Sequence, residues 1–472
     1  MTHESSASPG PGATSFARLP LTPAMQANLQ QLGYLEMTPI QAASLPLALQ
    51  GRDLIAQAKT GSGKTAAFAL TLLARLDARR FAVQALVLCP TRELADQVAA
   101  EVRRLARAED NIKVVTLCGG VPLRGQAANL EHGAHIAIGT PGRVLDHLFR
   151  ETLRLDALNT LVLDEADRML DMGFHDDMVK VMRQCPKERQ TLLFSATYPD
   201  DIARLAKQFM RDPQTVKVDV RHASAHIREL FFEVAPAQRL PTVAKLLAHF
   251  RPESTLAFCN TRQQCRALVE LLQAQGFDAL ALHGELEQRD RDQVLVQFAN
   301  RSCSVLVATD LAARGLDITQ LAAVINVDIT PDPEVHVHRI GRTGRAGETG
   351  LALSLATMDD MGRVGRIEQF TGQTSQWRAV DTLTPAAGAP LRAPMSTLQI
   401  VGGRKEKIRA GDVLGALTGE AGFTREQVGK IQVMEYATYV AVARDIGEEA
   451  LERLNAGRIK GKKVTVRWVG KA

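Results

Sequence analysis

At 472 residues the chain exceeds what one hydrophobic core ordinarily fills, so two or three domains are expected. An apolar fraction of 45% is ordinary for a globular protein, 4% aromatics argue against a disulfide-rich or lectin-like surface, and no apolar run approaches the roughly 18 residues that span a bilayer. The net charge of +5 is unevenly spread: residues 392–472 hold 15 Lys and Arg against 9 Asp and Glu, so an electrostatic partner such as nucleic acid is sought at that end.

In chain order, residues 1–15 are rich in Ser, Pro and Gly without an apolar stretch, and are expected to form a disordered leader, neither signal peptide nor anchor. From 16 to 218, short branched-rich runs at 53–56, 85–89, 114–118, 135–138, 161–163 and 190–194 alternate with helical patterns. A parallel sheet covered by helices on both faces suits them. A second such series occupies 225–383, with runs at 255–259, 279–282, 304–308, 323–327 and 350–354. A Pro/Ala/Gly-rich stretch over 384–396 reads as a linker. Over 397–472 the pattern becomes β (398–401), α (411–418), β (430–434), β (438–442), α (446–455), β (463–468), which makes a four-stranded sheet with two helices on one face. The expected class is therefore α/β, two tandem parallel-sheet domains followed by a small α+β domain. The six cysteines are scattered, with no C-x-x-C pair and no histidine at ligand spacing; buried reduced thiols are expected, and no structural metal.

Three segments carry chemistry. Gly61, Gly63, Lys64 and Thr65 follow an apolar strand and open a helix over 66–76. Glycines at that junction let backbone N–H groups converge on phosphate oxygens, the lysine neutralises the β- and γ-phosphates, and Thr65 ligates magnesium. The strict phosphate-loop pattern fails once, because Ala58 stands where its first glycine belongs. The buried strand 160–163 ends in Asp164 and Glu165, at the edge where α/β sheets place ligands. There Asp164 is expected to hold Mg²⁺ through water and Glu165 to orient or deprotonate the attacking water. In His338-Arg-Ile-Gly-Arg-Thr-Gly-Arg345 two arginines stand three apart in a Gly-rich turn, an arrangement that suits a nucleotide γ-phosphate or a nucleic-acid backbone equally.

Asp164-Glu-Ala-Asp167, with Gly33-Tyr-Leu-Glu-Met-Thr-Pro-Ile-Gln41, Pro90-Thr-Arg-Glu-Leu-Ala95, Gly119-Gly120, Thr140-Pro-Gly-Arg143, Ser195-Ala-Thr197, Ala308-Thr-Asp310, Arg314-Gly-Leu-Asp317 and the 338–345 segment, resembles the DEAD-box RNA helicase family over roughly 16–383. That family also uses alanine at the head of its phosphate loop. The resemblance implies two RecA-like domains, ATP and Mg²⁺ as cofactors, and RNA as partner. Residue by residue it implies that Gln41 reads the adenine edge and Phe16 stacks on the base. Thr60, Gly61, Ser62, Gly63, Lys64 and Thr65 would cradle the phosphates, and Asp317 would contact the ribose. Arg342 and Arg345 would act as arginine fingers. Asp167, Ser195, Thr197 and His338 would couple the nucleotide to the closed state. Thr91, Arg92, Gly120, Thr140, Gly142 and Arg143 from the first domain, and Arg262, Gly284, Gln288, Arg291 and Thr309 from the second, would lie on the RNA strand; such residue types suit phosphates and 2′-hydroxyls, so little sequence preference is expected of the core.

The C-terminal order resembles an RNA-recognition motif, and Gly411-Asp-Val-Leu-Gly-Ala-Leu-Thr418 with Gly429-Lys-Ile is similar to DbpA-type bacterial DEAD-box proteins. Gln399 stands where the first strand usually offers an aromatic, and only Tyr439 falls at a stacking position. Two basic clusters compensate: Arg404, Lys405, Lys407 and Arg409, then Arg458, Lys460, Lys462 and Lys463. The DbpA-type resemblance implies a structured hairpin of large-subunit (23S-type) ribosomal RNA as target, pre-ribosomal particles as partners and ribosome assembly as role; the reduced thiols and the lack of a bilayer-length apolar run lead one to expect a cytoplasmic place without membrane. Two rival readings are an ATP-gated RNA clamp with little unwinding and a DNA-directed motor of the same superfamily.

Overall fold

Short apolar strands separated by helix-length segments return in parallel, because each crossover is made by a helix lying on the sheet. The computed structural model, which describes residues 14–58, 61–218, 227–313, 321–344, 349–386 and 391–470, shows this twice. In the first half β1 (Leu54–Gln57), β2 (Ala85–Leu88), β3 (Val114–Leu117), β4 (Ile136–Gly139), β5 (Thr160–Asp164), β6 (Gln190–Ser195) and β7 (Gln214–Lys217) form one parallel sheet in the order β3-β4-β2-β5-β6-β1-β7. In the second half β8 (Ile227–Glu233), β9 (Thr255–Cys259), β10 (Ala279–Leu282), β11 (Val305–Thr309), β12 (Ala323–Asn326), β13 (Gly350–Ala356) and β14 (Trp377–Arg378) form another, ordered β10-β11-β9-β12-β13-β8-β14. The described residues up to 218 make one compact unit and those from 227 another.

Each sheet is buried on both faces, as all-apolar strands require. Phe68, on the helix Lys64–Ala74, meets Phe194 of β6 with ring centroids 5.4 Å apart, and both are fully buried. Each such ring contributes about 1.5–3 kcal/mol through apolar burial, and this pair seats the helix that leaves the phosphate loop. The helices after β2 and β9 start alike: Thr91 Oγ1 accepts from Leu94 N (3.3 Å) and Thr261 Oγ1 from Gln264 N (3.2 Å), so a threonine caps each helix and an arginine, Arg92 or Arg262, follows it. All six cysteines are buried and free.

The C-terminal strands β15 (Met395–Val401), β16 (Val428–Val433), β17 (Ala437–Ala443) and β18 (Val466–Trp468) pair antiparallel in the order β16-β17-β15-β18. The helices Ala410–Gly415 and Gly447–Ala456 cover one face, burying Val413 and Leu454 among Leu398, Ile400, Val440 and Val442.

Two expected boundaries shift. Of the leader set at 1–15, residues 1–13 lie outside the described part, but Thr14 and Ser15 belong to the fold: Met37 N donates to Thr14 O at 2.6 Å, and Ser15 bridges Glu36. The linker set at 384–396 is strapped down at both ends, with residues 387–390 outside the described part. Ala386 N donates to Ala248 O (3.1 Å) and Ala393 N to Asp278 Oδ2 (2.8 Å). The linker's last two residues, Met395 and Ser396, already pair in β15, and ahead of them the proline-rich backbone forms no helix or strand among the described residues, though its N–H groups still find acceptors.

Candidate nucleotide and RNA sites

Gly61 and Gly63 adopt left-handed backbone, φ 79° and 93°, and Gly63 caps the helix Lys64–Ala74. A Cβ at Gly63 would stand 2.6 Å from Gln41 Nε2, so only glycine allows both the turn and the neighbour. Gln41 Nε2 donates to Gly63 O (3.0 Å), its Oε1 accepts from Thr38 N (2.8 Å), and Thr38 Oγ1 donates to Ser62 O (2.7 Å). The segment before the helix Pro39–Leu49 is thus stitched to the loop. One Nε2 proton and one Oε1 lone pair of Gln41 are left for a ligand. These residues open on a cavity of about 520 Å³ whose lining runs from Tyr34, Thr38 and Gln41 past Gly63, Lys64 and Thr65 to Asp164 and Glu165.

Lys64 Nζ, Ser62 Oγ and Asp164 Oδ1 are buried with no hydrogen-bond partner among the described residues. Orphaned polar atoms of this kind are costly unless a ligand completes them, and this donor set fits a polyphosphate with a hard cation. Burial pushes the Asp164 carboxyl up, to about 7; the Lys64 ammonium opposes that and Glu165 adds to it. A cation at Asp164 would reverse the balance.

Glu165 follows the end of β5 at φ 52°, a left-handed conformation a non-glycine residue adopts only under constraint. Its Oε2 accepts from Arg168 Nη1 at 2.6 Å, with both side chains nearly buried. Asp167 turns the other way. Its Oδ2 accepts from Ala196 N (3.1 Å), Thr197 N (2.9 Å) and Thr197 Oγ1 (3.0 Å), while Ser195 Oγ accepts from Asp167 N (3.2 Å). Burial alone would raise the Asp167 carboxyl, but the Thr197 hydrogen bond and the Lys64 charge outweigh it and hold it below its usual range. Asp167, Ser195 and Thr197 therefore meet in one hydrogen-bonded group.

Topology separates two sets of the expected site residues along one sheet edge. The phosphate loop, Glu165 and Ser195 leave the C-terminal ends of neighbours β1, β5 and β6; Thr91, Gly120 and Thr140 leave those of neighbours β2, β3 and β4. Thr140 stands at the N-terminal boundary of the helix Pro141–Phe149, and Arg143 is steadied by Val121 O and Gln126 Oε1, both at 3.0 Å. In the second unit, Arg262, Gly284, Gln288 and Thr309 likewise leave neighbours β9, β10 and β11. Arg262 pairs with Glu285 (2.7 Å), and Arg291 Nη2 donates to Ala312 O (2.7 Å).

Within the second unit, the C-terminal module lies on the parallel-sheet domain through the outer face of its own sheet. Tyr439 and Val469 pack on Val296, Asn300 Nδ2 donates to Thr397 Oγ1 (3.2 Å), and the Asp278 carboxylate takes Arg392 (3.2 Å) and Arg444 (2.8 Å). Burial works against the Asp278 charge, yet the Arg444 guanidinium and the Ala393 N–H hold its carboxyl below the usual range. Tyr439, the one residue at a stacking position, is therefore covered, and Gln399 is buried beside it. The basic clusters remain exposed, and folding joins them: Lys460 Nζ donates to Lys407 O at 2.9 Å across 53 residues of sequence.

Comparison with known proteins agrees with this geometry. The DEAD/DEAH box helicase family matches residues 38–205, the helicase conserved C-terminal domain 238–347, and the DbpA RNA binding domain 397–468. The chain is 52% identical to the ATP-dependent RNA helicase DbpA of Escherichia coli K12, over 96% of this chain and 99% of that one. It is 42% identical to the DEAD-box ATP-dependent RNA helicase CshA of Geobacillus kaustophilus, over 82% of each. Among solved structures it resembles S. cerevisiae Dbp5 bound to RNA and ADP BeF3, with TM-score 0.71, 31% identity, and coverage of 78% of this chain and 96% of that one. The chain belongs to the DEAD-box ATP-dependent RNA helicases.

Within this helicase some expected residues are displaced and others were overlooked. Phe16 does not line the cavity. It is a core residue, 4% exposed, edge-on to Tyr34 at 5.9 Å, and Tyr34 is the ring on the cavity wall. An aromatic inside a Gly-Tyr-Leu turn gave no periodic signal to raise it above Phe16. Arg339 was passed over between His338 and Arg342. It is 2% exposed, grips Asp310 through Nε (2.7 Å) and Nη2 (2.6 Å), and donates to Asp328 O (2.7 Å). Thr60, Asp317 and Arg345 lie outside the described residues. His338, on the helix Pro333–Ile340, and the nearly buried Arg342 belong to the second unit.

Proposed function

We propose that this helicase couples ATP hydrolysis to local separation of RNA strands, and that its C-terminal module directs it to a structured hairpin of large-subunit ribosomal RNA in cytoplasmic pre-ribosomal particles. The observation that carries the targeting is the joined, exposed basic surface around Lys407 and Lys460 on a module whose sheet face is occupied. The matched DbpA domain and the relative from E. coli support it.

The chain's own groups divide the work. Tyr34 stacks on the adenine and Gln41 reads its edge with its remaining donor and acceptor. Lys64 and the N–H groups around Gly61, Ser62 and Gly63 take the phosphates. Thr65 and Asp164 would hold magnesium, which when bound neutralises phosphate charge. Glu165, aimed by Arg168, takes the proton of the attacking water. Asp317 meets the ribose, Arg342 and Arg345 meet the γ-phosphate, and His338 meets the Asp164–Asp167 segment on closure. The strand residues, from Thr91 to Thr309, hold RNA by its backbone, and closure bends the strand so that it cannot remain paired.

Two measurements test this. Changing Lys407, Lys460 and Lys462 together to Glu is expected to raise the half-activating concentration of total ribosomal RNA at least about tenfold, while activation by generic RNA stays within about twofold. Equal effects on both RNAs would remove the targeting role. Changing Ser195 and Thr197 to Ala removes the acceptor for Asp167 N and one donor to its carboxylate. ATPase is expected within a few-fold of the parent, with duplex unwinding lost; parallel loss of both would count against a coupling role. Unwinding absent from the parent protein, with ATP-dependent RNA trapping retained, would favour the clamp.

A further inference from the structure

A tyrosine on the wall of the nucleotide cavity is gripped by its hydroxyl. Tyr34 Oη donates to Glu101 Oε1, and Arg104 Nη2 donates to both Tyr34 Oη and Glu101 Oε1 at 2.9 Å. The Arg104 guanidinium also lies over the Tyr34 ring, 5.4 Å from its centroid, while Phe16 packs against that ring from the core at an interplanar angle of 79°. Burial, then the Glu101 hydrogen bond and charge, push the Tyr34 phenol up to about 12, so it stays a donor at any physiological pH. The helix carrying both partners, Arg92–Leu105, presents Leu94, Gln97, Val98 and Glu101 to the same cavity. Its end is tied down separately, since Asn28 Nδ2 donates to Leu105 O at 2.9 Å.

A partly exposed phenol has water available and needs no such pair of charged partners to be satisfied. What the pair adds is orientation. Three contacts, from the hydroxyl's partners, the guanidinium over the ring and the near-perpendicular Phe16 ring, fix the height and tilt of one aromatic plane. The geometry points to Glu101 and Arg104 as positioning residues for the nucleotide base, acting through Tyr34, with the Tyr34 hydroxyl as the handle by which the ring is set. This rests on the reading above that Tyr34 stacks on adenine. The benefit is preorganisation: a ring already in its bound pose loses little freedom when the base arrives. It belongs to binding, not to chemistry at the γ-phosphate, because neither side chain is among the groups that reach the phosphates.

Steady-state ATPase of the full chain at saturating RNA tests it, with melting temperature followed for every variant. Tyr34→Phe keeps the ring and removes only the handle; Glu101→Ala removes the acceptor; Glu101→Gln keeps an acceptor without charge. Tyr34→Phe and Glu101→Ala are each expected to raise KM for ATP roughly tenfold, a part of what base–aromatic stacking contributes, with kcat within twofold. Glu101→Gln should stay within about threefold of the parent. The double variant Tyr34→Phe, Glu101→Ala should match the singles, because each already breaks the Tyr34–Glu101 bond and opens the same three-membered group. A KM unchanged in both singles, a fall in kcat at constant KM, or a double variant equal to the product of the singles would overturn the proposal. Tyr34→Ala separates the two readings. If it leaves KM unchanged, stacking on Tyr34 itself fails; if it raises KM strongly while Tyr34→Phe and Glu101→Ala do not, the stacking stands and the positioning role falls. Should Glu101→Ala melt early, Tyr34→Phe, which deletes one oxygen, decides alone.

Discussion

Glu165→Gln is expected to lower RNA-stimulated ATP turnover by about 10²–10⁴-fold, the scale of a general base, while ATP and RNA still bind. The reasoning begins with a strand. β5 is apolar from Leu161 to Leu163 and delivers its last residues to the sheet edge, so a carboxylate placed there faces the phosphate loop. Glu165 then takes a left-handed turn and leans on Arg168 at 2.6 Å. The glutamine amide oxygen can accept the same Arg168 proton, so the local structure is preserved and only basicity is lost. The checking measurement is single-turnover hydrolysis beside equilibrium binding of fluorescent ATP. A variant that hydrolyses at a rate comparable to the parent would remove Glu165 from the chemistry. One that loses binding as well would show that its role is structural.

What the chain reveals before it folds, and what it hides, follows from the range of each signal. The two parallel sheets were legible because apolar runs such as those at β2 and β5 are local and unbroken. The phosphate loop and Asp164 were legible for the same reason, each sitting next to the strand that aims it. β14 was not: two residues on a sheet edge, Trp377 and Arg378, carry no period. Tyr34 and Phe16 could not be told apart, since both precede Gln41 and only packing decides which ring faces the cavity. Arg339 was hidden because its partner Asp310 lies 29 residues away. Doubt about stacking on the C-terminal sheet came from a missing aromatic at Gln399, and the fold supplies a further cause, Val296 against Tyr439. The union of two basic loops through Lys460 and Lys407 is likewise a product of topology, invisible to a count of charges.

Arg342→Ala is expected to slow hydrolysis by about 10³-fold or more at saturating ATP and RNA, the scale of an arginine finger. Arg342 sits in the turn after the helix Pro333–Ile340, where its N–H donates to Arg339 O (3.2 Å) and its carbonyl accepts from Leu321 N (3.2 Å). The turn itself is braced, because Arg339 is locked to Asp310 and to Asp328 O. The backbone that carries Arg342 is thus held in place, and the planar fork of its guanidinium can take two phosphate oxygens at once. Lysine keeps the charge and not the fork, so Arg342→Lys should recover only part of the rate. The same substitution decides between the two uses that the sequence left open. A finger lowers kcat and leaves the half-activating RNA concentration in place. A direct RNA contact raises that concentration and leaves kcat intact once RNA saturates, with a salt dependence reduced by about one phosphate contact. ATPase rates measured across an RNA titration at two salt concentrations separate these outcomes, and a loss of only a few-fold in kcat would move Arg342 out of the nucleotide site.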